Sequence, residues 1–423
     1  MNRVMKGACA GILVLVYASC VDALGPGNES NGRISIVNDQ AALAANVTYF
    51  STPVIVDDIG VGYPSAPVPA PSASVRGSAA SPAAFSLTLV AEVAPPVVAG
   101  QTLQATSVSI VSQRAVVSYN MRGNPYIGAI DVFDLSQNNV PILKSRATFQ
   151  NTDVSSVFAS GTNVYVAEAT GDTGFLSPAV FEVMQLVGNN LVLAGNRRMA
   201  LSSFAATSAT ASGTKAYATS GDSGSLFVID PVSFTVTNSI SLHDARWVDV
   251  AGGKIAVVQG TPGKLAVYNE ANLAPVGTWS FTGAGIAQSK STVQLVGGKA
   301  FIGAGTGGVQ VLSASTGTVV GSVARPNPAT LTPPLPDSVV VSNAASVDAD
   351  LLFISNGEAG VYVARGSQAF SATGSETQQT ITMLGKLRFA NLQSVNHVTY
   401  STQDGYLIIA AGLGGLKMVK VNR

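Results

Sequence analysis

Residues 215–230 read Lys215-Ala216-Tyr217-Ala218-Thr219, then Ser220-Gly221-Asp222-Ser223-Gly224, then Ser225-Leu226-Phe227-Val228-Ile229-Asp230. Two short runs that alternate apolar with small polar residues, split by a Gly-Asp-Ser-Gly turn, carry the period-two signature of paired antiparallel strands. A further alternating run follows from about Phe234 to Leu242. Lys299-Ala300-Phe301-Ile302, Gly307-Gly308-Val309-Gln310-Val311-Leu312 and Thr318-Val319-Val320 repeat the same order.

From Thr106 onward this unit recurs: an apolar strand, a Gly or Asn turn, a second strand with a small-aromatic-small core, a Gly-rich loop and a third strand. The copies centre on Val116, Tyr165, Tyr217, Ala256, Phe301, Phe353 and Ile408, at spacings of 49, 52, 39, 45, 52 and 55 residues. One four-stranded blade of a β-propeller needs roughly 40 to 50 residues. The expected fold is therefore all-β, a seven-bladed β-propeller over residues 85–423, with the aromatic positions as core. The last copy has room for only three strands before Val421, which would leave an unpaired edge. Phe85-Ser86-Leu87-Thr88-Leu89-Val90 alternates correctly to fill that gap, so an N-terminal strand is expected to close the last blade. An open solenoid would instead need polar caps at both ends.

These copies resemble the YVTN and LVIVD types of β-propeller repeat, found in many exported bacterial proteins. The resemblance covers residues 85–423 by architecture, and the copies around Tyr217, Phe301 and Phe353 match it most closely. Asp230 stands where such repeats often place Asp after the third strand, whereas Ser313 takes that place in the copy around Phe301.

Composition narrows the function classes. The chain has 423 residues, of which 23 are Lys or Arg and 23 Asp or Glu, with 11% charged and 47% hydrophobic. With no basic stripe to displace counterions, nucleic acid is not an expected partner. Both cysteines, Cys9 and Cys20, lie in the first twenty residues, so the body holds no thiol for a disulfide, a Cys-ligated zinc, an iron-sulfur cluster or a nucleophile. His243 and His397 are the only histidines, which excludes most His-based metal sites, and no cofactor is implied.

The N-terminus reads as an export signal over residues 1–19: Arg3 and Lys6 precede an apolar stretch, residues 7–16, too short to span a bilayer. Tyr17-Ala18-Ser19-Cys20 resembles the bacterial lipobox, with Tyr17 where Leu is usual. That resemblance implies that Cys20 is acylated and anchors the protein to a membrane of the cell envelope, more than one acyl chain being needed for stable attachment. The alternative is an ordinary secreted protein cleaved nearby. Residues 20–84 read as a tether that is polar and Gly-rich at 25–32 and rich in Pro, Ala and Ser at 64–84. Within it, Ile34-Ser35-Ile36-Val37 and Val54-Ile55-Val56 are apolar patches that the repeat does not place.

Gly221-Asp222-Ser223-Gly224 resembles the nucleophile sequence of trypsin-like proteases. Both histidines follow it in the chain, and the loop one repeat earlier is Gly171-Asp172-Thr173-Gly174, so it reads as turn chemistry. In a propeller, the loops between second and third strands share one face with the connections entering each blade, around the central channel. That face is expected to gather Arg122, Tyr126, Asp153, Phe175, His243, Asp244, Arg246, Trp247, Arg325, Asn356, Glu358, Arg388, Asn396 and His397. Mixed charges with aromatics suit a polar ligand or a protein, and point to a monomeric, non-enzymatic binding or interaction module, touching the membrane through its anchor only. The alternative is a lactonase-like propeller hydrolase or lyase, with a divalent cation held at the channel mouth by His397, Asn396, Asp153 and Asp244.

Overall fold

The computed structural model describes residues 26–54, 61–63, 86–286, 289–389 and 393–422. The expected leader, Cys20, Phe85 and the spacer at 64–84 lie outside the described residues. Seven sheets stand in a ring, each built on four antiparallel strands from the channel outward, with further edge strands on blades 1, 6 and 7. The inner strands are Gln104–Val111, Thr152–Ser160, Ala206–Ser212, Ala245–Ala251, Val293–Val296, Ala344–Asp348 and His397–Ser401, in blades 1 to 7. Each of the seven centres found in the sequence falls on a second strand, from Val116 on Arg114–Asn120 to Ile408 on Tyr406–Ala410.

Strand alternation sorts these side chains between neighbours. In blade 3, Ala216 and Ala218 join the apolar cluster against blade 2, while Tyr217 between them joins the cluster against blade 4. Phe301 likewise faces blade 6, with Ala300 and Ile302 facing blade 4. The same sense holds around the ring, the centre of each copy turned to the next blade and its flanking residues to the previous one. Both faces of a middle strand are buried, so it reads as a run of small and apolar residues, while the outer strand of blade 3, Thr235–Ser241, is almost wholly exposed.

The inner strands are rich in Ser and Thr for a different reason: their side chains bond the backbone of the next blade. Ser107 Oγ accepts from Val157 N (3.2 Å), Ser156 Oγ from Ala209 N (3.1 Å), Asp249 Oδ2 from Leu295 N (2.7 Å), Gln294 Oε1 from Val347 N (2.9 Å) and Ser346 Oγ from Tyr400 N (3.0 Å). Thr207 Oγ1 donates to Ala245 O (2.8 Å) and Thr399 Oγ1 to Val108 O (3.1 Å). Every blade interface thus has a polar link near the channel, where converging strands leave too little width for large apolar side chains.

Closure follows the expected route. Ser86–Val93 pairs antiparallel with Leu416–Asn422 and completes blade 7, so the ring closes by joining an early strand to the last one. The segment read as tether needs correction, because much of it is folded along the outer edges. Ile34–Val37 pairs with the outer strand of blade 1, Val47–Val54 adds to blade 7 beyond Ser86–Val93, and Val61–Tyr63 runs parallel to the outer strand of blade 6. Ile34 and Ile36 are buried between blades 1 and 2. Arg33, just before them, pairs at 2.5 Å with Glu182, a buried carboxylate of blade 2 that also meets Arg198. The structure therefore attaches this segment to the ring beginning at Glu29, well before the start expected near residue 85.

The Gly-Asp-Ser-Gly motif is a turn between the second and third strands of blade 3. A Cβ on Gly224 would lie 1.5 Å from Ser220 O, so this turn excludes any side chain there. Two insertions account for the wide spacings from Phe301 to Phe353 and from Phe353 to Ile408. Residues 324–343 loop over the channel mouth between blades 5 and 6, and residues 367–380 fold from blade 6 onto blade 5, where the buried Lys299 amine donates to Phe370 O (3.1 Å) and Thr373 O (3.0 Å).

Candidate functional site

The mouth of the channel is shaped by a local departure from regular pairing. The inner strands of blades 1 to 4 each carry a β-bulge near their start, at Thr106, Ser155, Thr207 and Arg246. A bulge leaves one residue out of the ladder and re-aims its side chain. In blade 4 this turns Arg246 toward the connection at 281–292. Its Nε and Nη2 bond Asp244 at 3.1 and 2.9 Å, and its Nη1 donates to Ala284 O (2.8 Å), Ile286 O (3.1 Å) and Ser289 O (2.9 Å).

That anchored connection presents Lys290. Its backbone N–H donates to the buried Asn343 Oδ1 (3.1 Å), and Ser291 after it is held at φ +50°, a left-handed conformation that only a well-determined surrounding maintains. Lys290 Nζ reaches across the channel to two carbonyls, Thr106 O (2.9 Å) and Ser155 O (3.1 Å), both belonging to bulge residues. It also lies 5.5 Å from the centroid of Trp247, which stacks on His397 at 5.3 Å. Burial lowers the Lys290 amine to about 7. Burial, reinforced by the Lys290 charge, lowers His397 to about 3, so this imidazole is neutral at pH 7.

Two cavities open at this amine. One, of about 490 Å³, lies among Gln104, Asn120, Arg122, Asn343, Glu358 and Asn396 and also touches Lys290; the other, of about 300 Å³, lies between Asp244, Arg246, Trp247 and Lys290. Deeper in the channel a third cavity of about 310 Å³ borders the other side of Trp247 and His397, with Asp249 on its wall. Burial raises the Asp249 carboxyl from its ordinary value against the pull of the bonds from Leu295 N and Val250 N.

The residues singled out from the sequence divide by role. Arg122 is exposed, and Arg122, Glu358 and Asn396 border the larger cavity, with Asn396 also donating to Ala105 O at 2.8 Å. Trp247 and His397 form the stack beneath Lys290. Others hold loops: Asp153 accepts from Met121 N and Ile127 N (3.4 and 3.2 Å), and burial pushes its carboxyl up to about 7 against the pull of those bonds. Arg325 bonds Val340 O (2.8 Å) and Asp337, and Arg388 bonds Thr332 O (2.7 Å), both bracing the 324–343 loop. Tyr126 packs on Gly171, Arg198 lies over the ring of Phe175, and Asn356 Oδ1 accepts from Ser342 Oγ (2.5 Å). His243 and Asp222 form an exposed pair at 3.3 Å.

The four residues suggested as cation ligands are not gathered: Asp153 serves two amides, Asp244 serves Arg246, Asn396 serves Ala105 O and His397 faces Trp247 and Lys290. Among the described residues no group of three or more His, Cys, Asp or Glu could hold a metal ion. Sequence reasoning missed Lys290 and Asn343. The available signal was topological, since the connection entering the fifth copy lies on the same face and Lys290 is its one charged residue.

No protein-family model matches the chain, and no curated protein sequence matches it. Among solved structures, the WD40 repeats of RRP9 are similar over 77% of this chain and 97% of that one, with 11% identity and a TM-score of 0.56. The structure of U3-55K is similar over 77% and 98%, with 11% identity and a TM-score of 0.55. At such identity the likeness shows the fold, and the chain is a seven-bladed β-propeller.

Proposed function

We propose that this protein is an exported, lipid-anchored binding module of the cell envelope, in which the channel-mouth face of the propeller takes a protein partner or polar ligand without catalysis. One observation carries the reading: Arg122, Glu358, Asn343, Asn396 and Lys290 border a single cavity of about 490 Å³ at the mouth, beside the Trp247–His397 stack. Rings over polar groups, fringed by charges of both signs, suit recognition of a polar surface. The propeller fold is compatible with such a module, and among the described residues no helix is long and apolar enough to cross a membrane. Anchoring at Cys20 is supported by the lipobox-like sequence alone.

The face is tested by retention of partners from envelope extract on the immobilised protein, comparing the unaltered chain with Arg122→Ala and Glu358→Ala. The expected result is a partner retained by the first and lost from both variants; identical profiles would overturn the reading. The anchor is tested by radiolabelled fatty-acid incorporation, expected in the unaltered chain and absent in Cys20→Ser. Equal labelling would remove the lipid from the account.

A further inference from the structure

Lys290 has no carboxylate within ion-pairing distance among the described residues. Its Nζ instead faces two carbonyl oxygens and an indole ring, at the meeting point of two cavities. An ammonium carries three donors and no lone pair, whereas a neutral amine carries two donors and one lone pair. The two carbonyls take both donors of the neutral form and leave its lone pair for an electrophile. Desolvation above an aromatic plane also activates an amine toward carbonyl carbon.

We infer that Lys290 is a covalent capture site for a small aldehyde bearing an anionic group, with Arg122 on the same cavity as the anion's partner. The inference rests on the reading of the channel mouth as a binding face and names a ligand class for it. The amine lone pair adds to the carbonyl carbon as the C–O π bond breaks, and one of the two amine protons passes to the oxygen, giving a carbinolamine. Its hydroxyl leaves as water while the nitrogen gives up its proton, so the net change is amine plus aldehyde to imine plus water. The titratable groups around the amine are His397 from blade 7, Asp244 and Arg246 from blade 4, Arg122 from blade 1 and Glu358 from blade 6. Asp244 is tied to Arg246 and His397 is neutral, so the lowered titration of Lys290, about 7, sets the pH range of the reaction.

The test uses the full chain with pyridoxal 5′-phosphate, and with pyridoxal as the probe lacking the phosphate, each trapped by cyanoborohydride and mapped by mass spectrometry. Adducts at Lys290 are expected at least tenfold faster at pH 7 than at Lys144, Lys215 or Lys264, with the Lys290 rate levelling above about pH 8 while the others still climb toward the ordinary lysine range. Arg122→Ala is expected to slow the phosphate-bearing probe severalfold and leave the other unchanged. Lys290→Arg, which keeps hydrogen-bond donors across the channel but carries no nucleophilic lone pair, should remove the adduct with the fold intact by circular dichroism. Lys290 labelled no faster than the reference lysines would overturn the inference and leave this residue as a tie across the channel. Loss of partner retention in Arg122→Ala and Glu358→Ala together with an inert Lys290 would overturn the covalent step alone; selective Lys290 labelling with unchanged partner retention would support the capture site while overturning the partner-binding reading.

Discussion

Replacing Arg246 by Ala should free the 281–292 connection while leaving the blades assembled. The side chain makes two bonds to Asp244 and three to carbonyls of Ala284, Ile286 and Ser289, with only 13% of the Arg246 and 18% of the Asp244 side-chain surface exposed. Bonds to a charged group are worth about 1.5–3 kcal/mol each but do not add, since water refills whatever is opened. Breaking one partner out of a buried pair costs about 3–5 kcal/mol. The partial exposure here places the expected loss at about 3 kcal/mol, concentrated in the connection. The assay is a urea midpoint together with hydrogen exchange at Ile286 and Ser289, whose amides bond Ala284 O and Ile286 O. Both should exchange faster. Arg246→Lys should recover less than half, because a point donor cannot span two carboxylate oxygens and three carbonyls. Gly260→Ala offers an independent route, since its new Cβ would lie 1.8 Å from Arg246 Nε and must displace the guanidinium without deleting any group. Unchanged protection at Ile286 and Ser289 in both Arg246→Ala and Gly260→Ala would refute the bracing role.

Asp153→Asn should flatten the pH dependence of stability. The folded carboxyl titrates at about 7 against about 3.9 unfolded, so the folded state holds a proton the unfolded chain has released, and stability falls as pH rises from about 4 to 7. Urea midpoints at pH 4.5 and 7.5 should therefore diverge in the unaltered chain and agree more closely in the variant; equal slopes would contradict this. Phe301→Asp removes a fully buried ring packed edge-on at 5.0 Å against Phe370, a loss of about 3–5 kcal/mol even before the carboxylate is desolvated, and should leave no cooperative unfolding transition by calorimetry. Asp222→Ala, in a turn and paired with an exposed His243, should change the urea-derived stability by less than about 0.5 kcal/mol.

Most of the ring was legible because its middle strands obey one rule that neighbouring copies share. A residue buried between two blades must be apolar on both faces, so small-aromatic-small runs recur wherever a second strand passes, and Val116 or Ala256 marks the position even where the aromatic is gone. The strand at Ser86–Val93 was legible because the last copy lacked a fourth strand. Ile34-Ser35-Ile36-Val37 carried the same alternation, yet a four-residue patch separated from the repeats by a long spacer has no register against which to be read; its pairing with the outer strand of blade 1 assigns it there and buries Ile34 and Ile36 against blade 2. At the candidate site, charge and aromaticity drew attention to Trp247, His397 and Arg122. Whether a given arginine faces a cavity or braces a loop depends on the path of insertions, and neither 284–289 nor 324–343 has a periodic signal.

The bulges were equally invisible, and they explain why the site is where it is. An extra residue in a run such as Ala105-Thr106-Ser107 or Val154-Ser155-Ser156 leaves alternation readable in either register, because the neighbours are small and weakly polar. A ring of identical blades would present the same backbone group to the channel seven times and offer no preferred direction to a ligand. Here blades 1 to 4 carry the bulge near the start of the inner strand and blades 5 to 7 pair without it. The mouth therefore has one half with bulge-residue carbonyls and another furnished with Asn343, Asn396 and the inserted loops. Lys290 crosses from the connection between blades 4 and 5 to the carbonyls of blades 1 and 2. The polar links from Ser107 through Thr399 are kept at all seven interfaces. Asymmetry at the mouth thus arises above the closing bonds in blades 1, 2 and 4 and at Thr207 itself in blade 3, without removing any of those bonds, which is how a repeat can diverge into a site without opening.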